Sequence, residues 1–495
     1  MAARTLGATA LLAATMAAQV DYEPDGRPWS HRVSAGPDAA VPGWFYNLGA
    51  TGLRVRLLAE SPTWLGVAYV FPGSPAAAAG IAADDVLVGA GGARFATPHQ
   101  DGYGPPVFGP RGPILDFAVA LEAAETTAPH ELALTVRRGA AERDVRLTIP
   151  PLPPFAAGWP ADDARSTQLS AELRGYLLAH QRDDGSWGNP VSDTFAPLAL
   201  LALGDEQAMA AVTRCAHFHA ATTKAQDLDS LINWRYCAAG IVLGEYYLTT
   251  HERWVLPELQ EVVTFLCGSQ YLDPAQMSPR AKVTHPDAQP KRPGDKIGGW
   301  GHNPGFEGYG PICMLTGQGA IAIALAQRCG SEFPRRHLDA AYDFLARGTG
   351  RNGYVWYEDS VASDDGWADP GRTGAAGVAN ALFPYEPGDH AGRAVAHARA
   401  IGEHPLSFPD THGSPPMGMA WAAAAAARDP ASLRALLDQN RWWFVLARCA
   451  DGSFYYQPNR DNAGYEADSR VTMSAVVAFV LTLPKRALLV TGRTP

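Results

Sequence analysis

The sequence predicts a multidomain protein in which a small α/β domain is followed by an all-α ring of helix pairs. Three observations carry that prediction. Composition changes from Val/Gly-rich to Ala/Leu-rich at Pro150-Pro-Leu-Pro-Pro154, with four prolines in five residues. Beyond that point, apolar residues recur at helical spacing in twelve successive segments. A turn built of Gly and an aromatic recurs among those segments, first at Gln181-Arg-Asp-Asp-Gly-Ser-Trp187.

Length and charge narrow the function classes. A chain of 495 residues can build two or three domains. It carries 40 Lys+Arg against 50 Asp+Glu, a formal charge of -10, without a basic run. A nucleic-acid partner therefore has no electrostatic footprint, and neither has polybasic membrane attachment. At the N-terminus one Arg precedes the apolar run Leu6 to Ala18, and a polar, Pro-containing segment follows. Residues 1–18 read as a signal peptide, which predicts export to the periplasm, the envelope or the medium. Six cysteines lie beyond residue 200 without CxxC pairs. They give no zinc framework and read mostly as small buried hydrophobes, although an exported chain could pair some as disulfides.

The first domain spans 44–150. Leu65 to Phe71 has strand composition, Pro72-Gly-Ser-Pro75 turns into a short Ala helix, and Gly80-Ile81 closes it. Asp85 to Val88 is the next strand and Gly91-Gly92 a hairpin turn. A helix is expected over 114–125, and "HELALTVRRGAAERDVRLTI" is a closing hairpin with alternating apolar residues. The run "PGSPAAAAGIAADDVLVGAGG", 72–92, resembles the PDZ family, departing from it at Asp84, where that family has Gly. The resemblance covers about one hundred residues. It implies a groove that adds a C-terminal peptide to a sheet edge. It also implies a loop whose backbone N–H groups hold the peptide carboxylate, which falls at Leu48, Gly49, Gly52 and Leu53 by element order. A PDZ-shaped module with a blocked groove is the alternative.

The Pro-rich stretch, 151–160, reads as a stiff extended linker. The second domain spans 161–484, with a tail over 485–495. Helices are expected over 165–181, 194–204, 206–220, 229–249, 256–270, 311–329, 334–347, 372–383, 389–403, 416–428, 431–447 and 468–482. The turn of the first copy recurs in reduced form at Gly298-Gly-Trp300, Gly350 to Trp356 and Asp451 to Tyr456. The separations are near two, one and two units of roughly fifty residues, the scale of helix-pair repeats. Missing copies would fall near Gln270-Tyr271 and between His404 and His412. A single helix pair cannot bury both its faces, whereas six pairs in a ring can. Gln-x3-Gly-x-Trp at 181–187 resembles the repeat of terpene cyclases and protein prenyltransferase β-subunits, which implies an (α/α)6 toroid. The whole arrangement resembles an uncharacterised bacterial family that joins an N-terminal PDZ-like domain to such a toroid, a resemblance that brings a fold without a reaction.

The chemistry of the related toroids can be tested on its own residues. Class II terpene cyclases use Asp-x-Asp-Asp, and Asp227-Leu-Asp229-Ser230 lacks the last acid. Prenyltransferases use Asp-x-Cys, which does not occur. Cys267-Gly-Ser-Gln270 lacks the Glu of a thioester motif. What remains is positional. Loops entering the inner helices of a ring open at one end of its cavity, and here they are polar and aromatic. Segment 298–310, "GGWGHNPGFEGYG", is the richest. Polysaccharide lyases on such rings use Asn, His or Tyr, and Arg. His302, Asn303, Tyr309 and Arg372 supply these types, with His412 as a second base, and a neutral His is a competent proton acceptor. Trp187, Asp193, Trp234, Arg235, Trp300, Glu307 and Arg470 complete a substrate-binding set, the tryptophans as sugar platforms. The same residues could instead satisfy loops and staple repeats, with Asp369 beside Arg372 and Asp468 beside Arg470. No metal-ligand spacing and no cofactor motif occur. The expected function is binding of a polymer, carbohydrate or peptide, in the ring cavity, with the first domain as a peptide or partner module. A lyase or hydrolase acting there and a non-catalytic scaffold are the alternatives.

Overall fold

The computed structural model of the chain describes residues 32–34, 40–42, 45–58, 60–104, 107–224, 231–273, 297–304, 310–364, 366, 369–385, 388–411, 414–457 and 470–494. The chain divides into two compact units. One holds residues 1–176, 406–416 and 437–474, the other 177–405, 417–436 and 475–495.

The first unit is built on antiparallel strands. Two hairpins, β1 (Arg32–Ser34) with β2 (Ala40–Pro42) and β8 (Gln100–Gly104) with β9 (Val107–Arg111), stand apart from the main sheet. The main sheet comprises β3 (Tyr46–Asn47), β4 (Leu53–Leu57), β5 (Leu65–Val70), β6 (Val86–Ala90), β7 (Ala93–Arg94), β10 (Glu131–Arg138) and β11 (Ala141–Thr148). Its order is β11-β10-β6-β5-β4-β3, with β7 hydrogen-bonded to β6. Alternation sets which face is buried: Leu132, Leu134 and Val136 of β10 point inward. The β10–β11 hairpin turns at Gly139, φ 60, and pairs Arg138 with Ala141. Ser74 caps α1 (Pro75–Ala78) by accepting from Ala77 N–H. Helix α2 (Pro113–Thr126) lays Ile114, Phe117 and Leu121 on β6 and β10. Asp84 has φ 68, a left-handed conformation unusual for a residue other than Gly. Asp85 beside it is buried, accepts from Ala82 N–H and takes a bidentate grip from Arg138.

The Pro-rich stretch differs from the extended linker expected of it. Its apolar residues decide the outcome. Leu152, Phe155 and Trp159 are buried, and the Trp159 ring lies edge-on to Phe155 and Phe444, 4.8 and 4.9 Å away. Leu152 N–H donates to Glu125 O. Arg165, in the first turn of α3 (Ala164–Ala179), pairs with Glu125 at 2.5 Å in a fully buried ion pair. Three such apolar side chains contribute roughly 1.5–3 kcal/mol each, which ties the segment to the sheet unit.

All twelve expected helices are present. Besides α3 they are α4 (Ser192–Leu203), α5 (Glu206–Thr222), α6 (Ile232–Thr250), α7 (Val255–Ser269), α8 (Cys313–Arg328), α9 (Arg336–Arg347), α10 (Pro370–Ala381), α11 (His390–Glu403), α12 (Pro415–Ala426), α13 (Pro430–Gln439), α14 (Arg441–Ala447) and α15 (Arg470–Thr482). One expected helix, 431–447, is two, broken at the buried Asn440 between α13 and α14. In the second unit α4, α6, α8, α10 and α12 form an inner row. Helices α5, α7, α9 and α11 each cover the inner helix beside them. Inner neighbours approach through Gly and Ala. A Cβ on Gly240 would stand 2.7 Å from Ala322, and one on Gly317 would stand 2.8 Å from Ala375. A Cβ on Gly374 would meet the Trp421–Ala422 backbone at 2.4 Å. Phe195 of α4 meets Trp421 of α12 and Phe479 of α15 at 5.2 and 5.1 Å, so the last inner helices return to the first. Helix α8 is closed to water: every residue from Cys313 to Ala326 is buried. A wide aqueous channel would leave such a helix with a wet face. Among the described residues no helix is long and apolar enough to cross a membrane.

Candidate functional site

The turns that enter the inner helices are built alike. Gln181 Nε2 donates to Gly185 O, within its own turn, and to Ala211 O of α5. Trp187 Nε1 donates back to Leu177 O. Gln270 repeats this pattern, donating to Gly298 O and to His337 O of α9, while Trp300 Nε1 donates to Leu266 O. Gly185 and Gly298 have φ 89 and 108, and a Cβ on either would strike a carbonyl of the next outer helix. Gln270 and Trp300 therefore belong to one copy split by a long insertion, where the sequence spacing suggested two. Gly353, φ 84, repeats the left-handed turn, with His397 Nδ1 donating to its carbonyl.

This geometry removes Trp187, Asp193 and Trp300 from any binding surface. Both indoles are buried staples, and the Trp300 ring leaves no room for a Cβ at Gly319. Asp193 is buried in the first turn of α4, where its Oδ1 accepts the N–H groups of Trp187 and Gly188. Its carbonyl accepts from His219 Nε2 at 3.0 Å. Burial pushes the Asp193 carboxyl up to about 6, despite the two N–H donors that pull it down.

His302 and Asn303 dock on the start of α6. Asn303 Oδ1 accepts from Ile232 N–H, the first of that helix, and Asn233 Nδ2 donates to Gly301 O at 2.8 Å. Trp234 Nε1 donates to His302 Nδ1 at 2.9 Å, and the two rings stack at 5.8 Å. An indole N–H only donates, so Nδ1 carries the lone pair and Nε2 the proton. Burial lowers the His302 pKa to about 4, which keeps the ring neutral. Trp234 and Arg235 are half-buried at the same helix end. Burial lowers the Arg235 pKa.

Arg372 lies in the first turn of α10. Asp369 does not pair with its guanidinium; it caps the helix by accepting from Gly371 and Arg372 N–H. The guanidinium stands 5.2 Å from the centre of the Tyr357 ring, a partner that sequence reasoning missed. Tyr357 falls just past the aromatic of the third turn, and that position was the available signal. Arg470 belongs to the first unit, where it pairs with Asp451 at 2.5 Å. Tyr309, Glu307 and His412 lie outside the described residues. Among the described residues no cluster of His, Cys, Asp and Glu could hold a metal, and the six cysteines form no disulfide with one another.

The loop expected to hold a peptide carboxylate is occupied. Leu48, Gly49, Gly52 and Leu53 are buried. Leu48 N–H donates to Leu53 O, Gly52 N–H to Gly49 O, and Leu53 N–H to the Thr51 hydroxyl. A Cβ on Gly49 would stand 2.6 Å from Val445 O of α14. The sheet edge beside the loop is taken as well. Asn47 of β3 pairs with Arg54 of β4, Asn47 N–H donates to Gln457 Oε1, and Gln457 Nε2 donates to Asn47 O. These contacts hold the loop and Asn47 within the sheet unit.

A family model described as Domain of unknown function (DUF6288) matches residues 173–492. No curated protein matches the chain. Among solved structures the chain is similar to the GH76A alpha-1,6-mannanase from Salegentibacter sp. HEL1_6, at 12% identity and a TM-score of 0.45, over 63% of this chain and 98% of that one. It is also similar to a protein from Actinoplanes, at 18% and 0.41, over 64% and 99%. A type II terpene cyclase from Scytonema aligns at 11% and 0.43, over 65% and 97%.

Proposed function

The chain belongs to the DUF6288 family, and from that premise we propose that it is an exported, non-catalytic protein that binds a carbohydrate polymer at the inner-helix ends of its helical unit. The observation that carries the reading is the Trp234–His302 pair. General-base chemistry needs a free lone pair on the imidazole. In His302 that lone pair accepts the Trp234 indole N–H. Asn303 likewise spends its amide oxygen on the start of α6. The lyase set thus loses its base and its carboxylate neutraliser among the described residues. Binding needs neither. The half-buried Trp234 offers a ring face for a sugar, with Arg235 beside it. Arg372, over Tyr357, offers hydrogen-bond donors from the same unit. In this reading the sheet unit is a PDZ-like scaffold whose peptide groove is filled by its own chain.

Affinity electrophoresis against soluble polysaccharides, uronic-acid polymers and neutral glycans included, tests this. Retardation by at least one polymer is expected, without the rise in ultraviolet absorbance that an unsaturated uronate gives. The W234A variant should bind more weakly by about 0.5–1.5 kcal/mol, a few-fold to about tenfold. Chain cleavage, or retardation that W234A leaves unchanged, contradicts the proposal.

A further inference from the structure

A second site stands on the helical unit, away from the inner-helix entrances. A cavity of about 430 Å³ opens where α10 ends and α11 begins; its lining includes Asn380, Phe383, Tyr385, His390, Val395 and Arg428. What marks it is a chain of hydrogen bonds that fixes one imidazole. Asn380 Nδ2 donates to Ala376 O at 2.9 Å, so the amide oxygen faces the other way. That oxygen lies 2.9 Å from His390 Nδ1, which therefore carries the proton. Behind it, His397 Nδ1 donates to Gly353 O at 2.8 Å, leaving its Nε2 to accept from Asn380 at 3.4 Å. Two backbone carbonyls thus set every tautomer in the chain. The result is a lone pair on His390 Nε2.

His390 lines the cavity. A Cβ built on Gly388 would stand 2.9 Å from its Cδ2 and 3.1 Å from Nε2, against the ring and off the axis of the lone pair. The imidazole is held flat on Phe383, with ring centres 3.7 Å apart, and Tyr342 braces both rings edge-on at 4.9 Å. Arg428 supplies the opposite chemistry. It spends one N–H on Ala424 O and one on Val490 O, which leaves three of a guanidinium's five donors. Burial lowers its pKa only to about 10, so it remains a cation. An oriented acceptor, a cation and aromatic or aliphatic walls occur together in one concavity, which is how small-molecule sites are built.

We propose that this cavity binds a small hydroxycarboxylate with an aromatic or branched apolar body. Its hydroxyl donates to His390 Nε2, its carboxylate lies on Arg428, and its body lies against Phe383, Tyr385 and Val395. Isothermal titration of the full chain with 3-phenyllactate as probe tests this. Saturable binding is expected, and 3-phenylpropionate, which lacks the hydroxyl, should bind about tenfold more weakly, the size of one lost hydrogen bond. H390F keeps the stack on Phe383 but removes the acceptor. It should weaken binding of 3-phenyllactate about tenfold or more and leave that of 3-phenylpropionate unchanged. W234A should bind the probe as wild type does, which separates this site from the polymer-binding one. Absence of saturable heat, or equal affinity of wild type and H390F for 3-phenyllactate, overturns the proposal.

Discussion

Asp193 shows how a residue suited to catalysis can be held for architecture. It is acidic, buried and shifted upward, a profile shared with active-site acids. Its oxygen is nonetheless committed to the N–H groups of Trp187 and Gly188. D193N keeps an acceptor there and removes the cost of a buried charge, so its urea midpoint at pH 7 should match or exceed wild type. D193A leaves both N–H groups without that acceptor and should lose about 1–3 kcal/mol. Because the folded pKa lies above the unfolded one, the fold binds the extra proton between about pH 4 and 6. The wild-type contribution is therefore present below pH 4 and lost as pH rises through about 6. The advantage of D193N should accordingly vanish in acid.

At the scale of elements, Gly and Ala separate the inner row from the outer one. Gly374 of α10 faces the Trp421–Ala422 backbone at 2.4 Å, whereas Gly268 of α7 has nothing among the described residues within 4 Å of a built Cβ. The same substitution should therefore have opposite signs. G374A forces two inner helices apart and should destabilise by about 1–3 kcal/mol. G268A removes the helical cost of Gly and should stabilise by about 0.5–1 kcal/mol. Chemical denaturation of the two variants checks both. Helix existence was legible because apolar spacing is a local signal. The break at the buried Asn440 was not, since the apolar spacing runs on through 431–447. The insertion between Gln270 and Gly298 hid a repeat copy for a related reason: the pattern survives as hydrogen bonds to outer helices, which spacing cannot display. The packed Pro-rich segment follows the same rule, because prolines signal stiffness but Leu152, Phe155 and Trp159 decide where the segment lies. Candidate residues fared unevenly. Residue type pointed to His302 and Asn303, but their roles follow from partners, Trp234 and Ile232 N–H, that only the fold brings near.

Across the molecule, buried histidines share one state. Burial lowers His99, His219 and His302 each to about 4. Unfolding lets each take up a proton between about pH 4 and its ordinary value near 6.5, so their contribution to stability is full at neutral pH and falls as pH drops toward 4. His302 is the member of this set on which the functional reading turns. In the proposed reading this ring, with its lone pair spent on Trp234, is not the base of a lyase. Nitrogen-15 NMR of the imidazoles across a pH titration reads that state directly. The expected result is a His302 ring protonated on Nε2, bare on Nδ1, and titrating near pH 4. A His302 that titrates near 6.5, or carries its neutral-state proton on Nδ1, would contradict the account and return the residue to catalysis.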